Sequence, residues 1–265
     1  MSAGMQDTAA TTVQRGRARS DIDADLAVLV EHREAWARLP VSAKVEHLRA
    51  LARATSANAD RWVRAACAAK GIDPSSPLAG EEWTSGPWAF LFGVNRLVET
   101  LTEVARTGRP RLRPGSVHTR PDGQVVVDVF PQSAWDRLLL SGVKAEVWMQ
   151  PGVTEANLPD TMAVFYAQDH PSGAVALVLG AGNIASIPPL DVLYKLFAEG
   201  HVCLLKMNPV NEYLGPVFED IFAGLVAAGF IRFAYGGAEV GEYLTRHDSV
   251  DEIHITGSSS AASRR

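Results

Sequence analysis

The chain has 265 residues, 47% of them hydrophobic and 21% charged, with a formal net charge of −5. That composition excludes a wholly disordered polymer, and the acidic balance leaves no basic excess to neutralise a nucleic-acid backbone. Two cysteines, Cys67 and Cys203, cannot make a disulfide framework and fit a reducing, cytoplasmic setting, and no apolar run approaches the roughly 20 residues of a membrane span. Residues 1–20, rich in Ala, Thr, Gly and Arg, read as a disordered tail with no secretory h-region. A helical region over 21–110 follows. Asp21 to Arg38 carries Ile22, Leu26, Leu29 and Trp36 at helical spacing, and Pro40 stops it. Ser42 is placed to cap a second helix, whose apolar stripe breaks after Ala52 and resumes at Trp62. Gly71 ends that helix. Glu81 and Glu82 stand near a helix start, where acids favour the dipole. A third stretch runs from Trp88 to Arg106.

The period then changes from helical to alternating. Over 111–173 we expect a small β element and connector, with strands at Val117 to Arg120 and Gln124 to Phe130 around Pro121-Asp122-Gly123. Ala145 to Met149 reads as a further short strand. From 174 to 258 strands and helices alternate. Ala174 to Leu179 is a continuous apolar run, as a strand buried on both faces requires. Strands at His201 to Leu205, Ile231 to Tyr235 and Glu252 to Thr256 alternate with helices near Leu190 to Phe197, Val217 to Ala228 and Ala238 to His247. The fold class is therefore α/β: a helical N-terminal region plus a Rossmann-like parallel sheet. Residues 259–265 read as a second tail. No metal-ligand spacing such as paired Cys-x-x-Cys is present.

Gly180-x-Gly182-x-x-Ala185 lies between a strand and a helix, the setting of a dinucleotide-binding turn. The same glycines also suit a tight turn with no ligand. An acid at the end of the next strand would hold a ribose, but Lys206 stands there, and an ammonium only donates. Lys206 thus fits a cofactor bearing an extra phosphate, a different dinucleotide fold, or a lysine snorkelling at a strand end.

An ordered set of segments goes further. Leu-Gly-Ala-Gly-Asn183, Leu-Leu-Lys206-Met-Asn-Pro209, Tyr235-Gly-Gly237 and Ile255-Thr-Gly-Ser258 together resemble the cofactor-binding region of the NAD(P)-dependent aldehyde dehydrogenase superfamily, with Asn183 and Lys206 spaced 23 residues apart. The clear match covers about 85 residues, those from Val175 to Ser258. The resemblance implies a cofactor, NAD or NADP, and an aldehyde substrate. It implies that the Asn183 amide donates to a developing oxyanion. It places Lys206 on the adenosine ribose, Leu179 and Gly180 along the cofactor channel and Gly237 under the adenine. Gly257 and Ser258 bind the cofactor too, Ser258 at the pyrophosphate. Two departures stand out. The usual Pro-Trp before the asparagine is Ala181-Gly182, and the carboxylate expected soon after the lysine appears only as Glu212.

The family's nucleophilic cysteine and general-base glutamate lie beyond the Thr-Gly-Ser segment, and the sequence stops seven residues past Ser258. Cys67 and Cys203 read as core residues, not nucleophiles. The expectation is an aldehyde-oxidising lineage, catalytically incomplete as this chain and incomplete at the C-terminal end of its sheet. It would work as part of a homo- or hetero-oligomer, with no nucleic-acid or membrane partner. The alternatives are a non-catalytic dinucleotide-binding or hetero-oligomer subunit, and an NADP-dependent Rossmann reductase with Lys206 on the extra phosphate.

Overall fold

A computed structural model describes residues 18–257; residues 1–17, Ser258 and 259–265 lie outside the described residues, and with them most of both expected tails. Helix α1 spans Arg19–Ala37, starting inside the stretch read as tail, and buries Ile22, Leu26, Leu29 and Trp36. Helix α2 is one uninterrupted span, Val41–Lys70. The gap in its apolar stripe after Ala52 lies inside the helix, where the Thr55 and Ser56 hydroxyls donate to the Leu51 and Ala52 carbonyls at 2.7 and 3.0 Å. Ser42 lies inside α2, and Pro40 holds the cap position instead. Gly71, at φ +66°, terminates α2 in the left-handed conformation that favours glycine. Helix α3 is Ala79–Trp83 and α4 is Ala89–Thr107. Glu82 does not cap a helix; its buried carboxylate accepts from Lys70 Nζ at 2.5 Å and ties α3 to α2.

Strands β1 (Val117–Thr119), β2 (Val125–Phe130) and β3 (Ala145–Trp148) form an antiparallel sheet in that order. Helix α5 (Ala134–Leu139) links β2 to β3, and Ser133 and Asp136 close a capping box at its start. Val125 and Val127 pack on Leu158, whereas Trp135, Leu138 and Leu139 of α5 are exposed.

The second sheet is parallel. Its strands are β4 (Val175–Leu179), β5 (Val202–Lys206), β6 (Ile231–Ala234) and β7 (Glu252–Ile255), in the order β6-β5-β4-β7. Helix α6 (Ile187–Leu193) connects β4 to β5. Helices α7 (Gly215–Ile221) and α8 (Ala223–Ala227) connect β5 to β6, splitting at Phe222 the single helix expected there. Helix α9 (Ala238–Thr245) leads to β7. Each crossover returns the chain to the same end of the sheet, so all four strands run parallel and their carboxyl ends lie together.

Trp36 joins the helical region to this sheet. Its indole N–H donates to the Leu196 carbonyl at 2.9 Å, and its ring packs edge-on against Phe197 and tilted on Phe230. Lys44 is fully buried beside it. The ammonium has no hydrogen-bond partner and lies 4.6 to 5.3 Å from the ring centroids of Phe165, Trp36 and Tyr166. Cation–π attraction to three rings replaces an anion there.

Burial lowers the Lys44 pKa from its ordinary 10.5 to about 8. The unfolded chain holds that proton up to about 10.5 and the folded chain only to about 8, so unfolding stability gained from this group rises with pH across that window. The stability penalty is in full force below pH 8. We expect Lys44→Met to resist urea better than the natural chain at pH 7, with the gap narrowing by pH 10. Equilibrium unfolding at the two pH values checks this.

Candidate functional site

The carboxyl ends of the four parallel strands converge on one place. Strand β4 is the switch point: the chain leaves it for β5 and β6 on one side and returns as β7 on the other. The loops beyond such a point diverge and leave a crevice. Here the crevice is a cleft of 380 Å³, walled by Leu179 to Asn183 after β4, Lys206 and Asn208 after β5, Gly237 to Gly241 around the start of α9, and Ile255 to Gly257 after β7.

The first turn is built for close approach. Gly180 N–H donates to the Lys206 carbonyl at 3.0 Å, and a Cβ at Gly180 would lie 3.2 Å from that oxygen and 3.3 Å from Pro188. A Cβ at Gly182 would meet the Asn208 amide at 3.0 Å. Two side chains hold the turn from below. Asn208 Nδ2 donates to the Gly180 carbonyl at 3.3 Å and buried Asn211 Nδ2 to the Ala181 carbonyl at 3.2 Å. Asn183 then projects into the open. It is exposed, and its side chain makes no hydrogen bond with any described residue.

Lys206 ends β5 and is only 7% exposed. Burial pushes its pKa down, and the carboxylates of Glu212 and Glu239 oppose that push. Neither forms a salt bridge with it; each is anchored to backbone at the start of α9. Glu212 accepts from Gly236 N–H at 2.8 Å, and Glu239 accepts from Gly237 N–H at 3.2 Å. Gly236 has φ +122°, a value that side chains rarely allow. On the far wall, Thr256 donates to Asp191 at 2.9 Å, and His254 Nε2 lies 3.3 Å from the same carboxylate, fixing the end of β7 to α6.

Of the residues singled out from sequence, Leu179, Gly180, Asn183, Lys206, Gly237 and Gly257 all line this cleft. Ser258 lies outside the described residues. The sequence reading missed Asn208 and Asn211 as supports of the turn and gave Glu212 no place in the site. An Asn-Pro pair after a strand was a usable signal, since Asn208 caps the 3₁₀ turn Pro209–Leu214 through Val210 N–H. A larger groove of 520 Å³ lies on the outer side of α9. There Arg246 pairs with Glu242, and the Tyr243 hydroxyl donates to Asp23. The two cysteines are buried and burial raises both thiol pKa values, so neither offers a thiolate.

Chains of known structure share this architecture. This chain is similar to the glyceraldehyde-3-phosphate dehydrogenase GapN of Methanocaldococcus jannaschii, solved with NADP, at 14% identity and TM-score 0.52, over 93% of this chain and 43% of that one. The fold is that of the aldehyde dehydrogenases. A bifunctional proline utilization A protein matches at TM-score 0.58 and 12% identity, over 94% of this chain and 20% of its own. An aldehyde dehydrogenase from Bartonella henselae matches at TM-score 0.56 and 12% identity, over 92% of this chain and 40% of its own. This chain thus spans less than half the length of the aldehyde dehydrogenase structures it overlays. No protein-family model matches the sequence, and no curated protein sequence does. Among the described residues, no helix is long and apolar enough to cross a membrane.

Proposed function

We propose that this chain carries the dinucleotide-binding part of an NAD(P)-dependent aldehyde-oxidising enzyme. The observation that carries the proposal is the cleft itself, which gathers six residues chosen from sequence at the switch point of a parallel sheet. Solved neighbours with this fold hold NADP in one case, and NAD+ with octanal in another, a mutant aldehyde dehydrogenase of Pseudomonas syringae. Gly180 and Gly182 fit such a group, since only a residue without Cβ lets the turn lie this close against Lys206, Pro188 and Asn208 and present bare backbone to a ligand.

In this reading the Lys206 ammonium donates to a ribose hydroxyl, and Glu212, half-buried nearby, accepts from one. Gly237 and the first turn of α9 lie beneath the adenine, and Gly257 and Ser258 flank the pyrophosphate. When bound, the nicotinamide supplies the acceptor for the electrons of the aldehyde. Asn183 contributes a free amide N–H pair at the cleft mouth, placed to stabilise negative charge on the substrate oxygen. The attacking thiolate does not come from Cys67 or Cys203, which are buried away from the cleft. The exposed Trp135, Leu138 and Leu139, with β3 paired along one edge only, support assembly into a homo- or hetero-oligomer.

The carboxylates of Glu212 and Glu239, near enough to Lys206 to act on its pKa, favour NAD over NADP, because they would repel a 2′-phosphate held by that lysine. The NADP-reductase alternative is correspondingly disfavoured.

Fluorescence titration of the chain with NADH and NADPH tests both parts. Lys206→Met should weaken NADH binding about tenfold or more, the value of roughly one charge-assisted hydrogen bond. Unchanged NADH affinity in that variant would remove the proposed site. Glu212→Gln should narrow the preference for NADH by raising NADPH affinity. A chain that prefers NADPH from the outset would overturn the selectivity.

A further inference from the structure

The antiparallel sheet carries a second constellation, far from the cleft in sequence and chemistry. His118 is on β1, Asp128 on β2 and Glu146 on β3. Val126 is opposite both His118 and Trp148, and Asp128 is opposite Glu146. Residues directly opposite, and residues two apart along a strand, share a face. His118, Asp128, Glu146 and Trp148 are therefore on one face, with the apolar packing of Val125 and Val127 on the other. One ligand atom from each of His118, Asp128 and Glu146 lies within 4.8 Å of the other two.

We propose that these three side chains bind a divalent transition-metal cation of the zinc type. Two carboxylates this close repel unless a cation lies between them. No described Lys or Arg forms a salt bridge with Asp128 or Glu146, and Arg120 stacks on Trp148 at 3.9 Å and pairs with Asp122 at 3.4 Å. Glu146 has one oxygen committed, accepting from Trp148 Nε1 at 3.1 Å, which fixes the carboxylate and leaves the other oxygen free. One imidazole and two carboxylates on rigid strands make a three-ligand open site. That donor set suits Zn²⁺, Co²⁺ or Ni²⁺ better than Mg²⁺ or Ca²⁺, which take oxygen ligands alone. The bound cation would cross-link all three strands.

A similar-looking trio serves as an internal control. Glu199, His201 and Glu252 also bring ligand atoms within 4.8 Å. There buried Lys195 lies 2.6 Å from Glu199 and 2.5 Å from Glu252, so the cation position is already filled by an ammonium. Sequence spacing could not reveal the first trio, because its members come from three strands joined only by the fold.

The test is calorimetric titration of chelator-treated full chain with ZnCl₂ alone. We expect one Zn²⁺ per chain, weakened about tenfold or more by His118→Ala and by Asp128→Asn, each tenfold step being about 1.4 kcal/mol. His201→Ala should leave the affinity unchanged, and MgCl₂ at equal concentration should not compete. His118 is exposed, so its loss leaves the core intact, and circular dichroism confirms that each variant folds. No saturable binding would overturn the proposal. So would binding that survives both substitutions, binding lost in His201→Ala instead, or equal competition by Mg²⁺.

Discussion

Val175 to Leu179 is hydrogen-bonded along both edges, to β5 on one side and β7 on the other, and Val175 to Val178 are wholly buried. A strand so enclosed can leave the sheet only past its carboxyl end, and it must do so where two neighbouring crossovers diverge. The rest of the site follows from that exit. Gly180 passes within bonding reach of the Lys206 carbonyl because the two strand ends are in register, Leu179 beside Lys206. Asn183 is then delivered to the mouth of the cleft by a turn that Asn208 and Asn211 hold from behind.

Three buried lysines show how differently this chain handles the same cost. Lys195 is paired with two carboxylates, and their hydrogen bonds keep its pKa above the ordinary value despite burial. Lys44 has only aromatic rings, and its pKa falls. Lys206 is intermediate. Its carboxylate neighbours act from a distance while their own hydrogen bonds go to the start of α9. The first arrangement ties the fold together and the second costs it stability while the lysine stays charged. The third leaves a buried donor facing open space, which is where a bound hydroxyl would be worth most.

The parallel sheet was legible because β4 and the apolar part of β5 are short apolar runs next to glycines, and because β6 and β7, which carry Arg232, Glu252 and His254, follow helices at the same strand–helix rhythm. The cleft residues were legible because four segments kept their order and spacing. What the sequence hid depends on long-range contact. Thr55 and Ser56 fall in the gap of the α2 stripe, and only the fold shows their hydroxyls donating to the carbonyls of the preceding turn. Glu82 is a helix-start acid, in the first turn of α3, but its pairing with Lys70, twelve residues earlier, shows only in the fold. Glu212 is six residues beyond Lys206, and only the fold shows the 3₁₀ turn Pro209–Leu214 carrying its carboxylate to the Gly236 N–H. Phe222 splits a helix that periodicity alone would run through from Val217 to Ala228.

Hydrogen exchange of the backbone, followed by mass spectrometry with and without saturating NADH, tests the central claim most directly. The account predicts added protection confined to 179–183, 206–212, 236–241 and 255–257, the four strand-end segments of one cleft. Protection centred elsewhere, or none at a concentration that saturates binding, would contradict it.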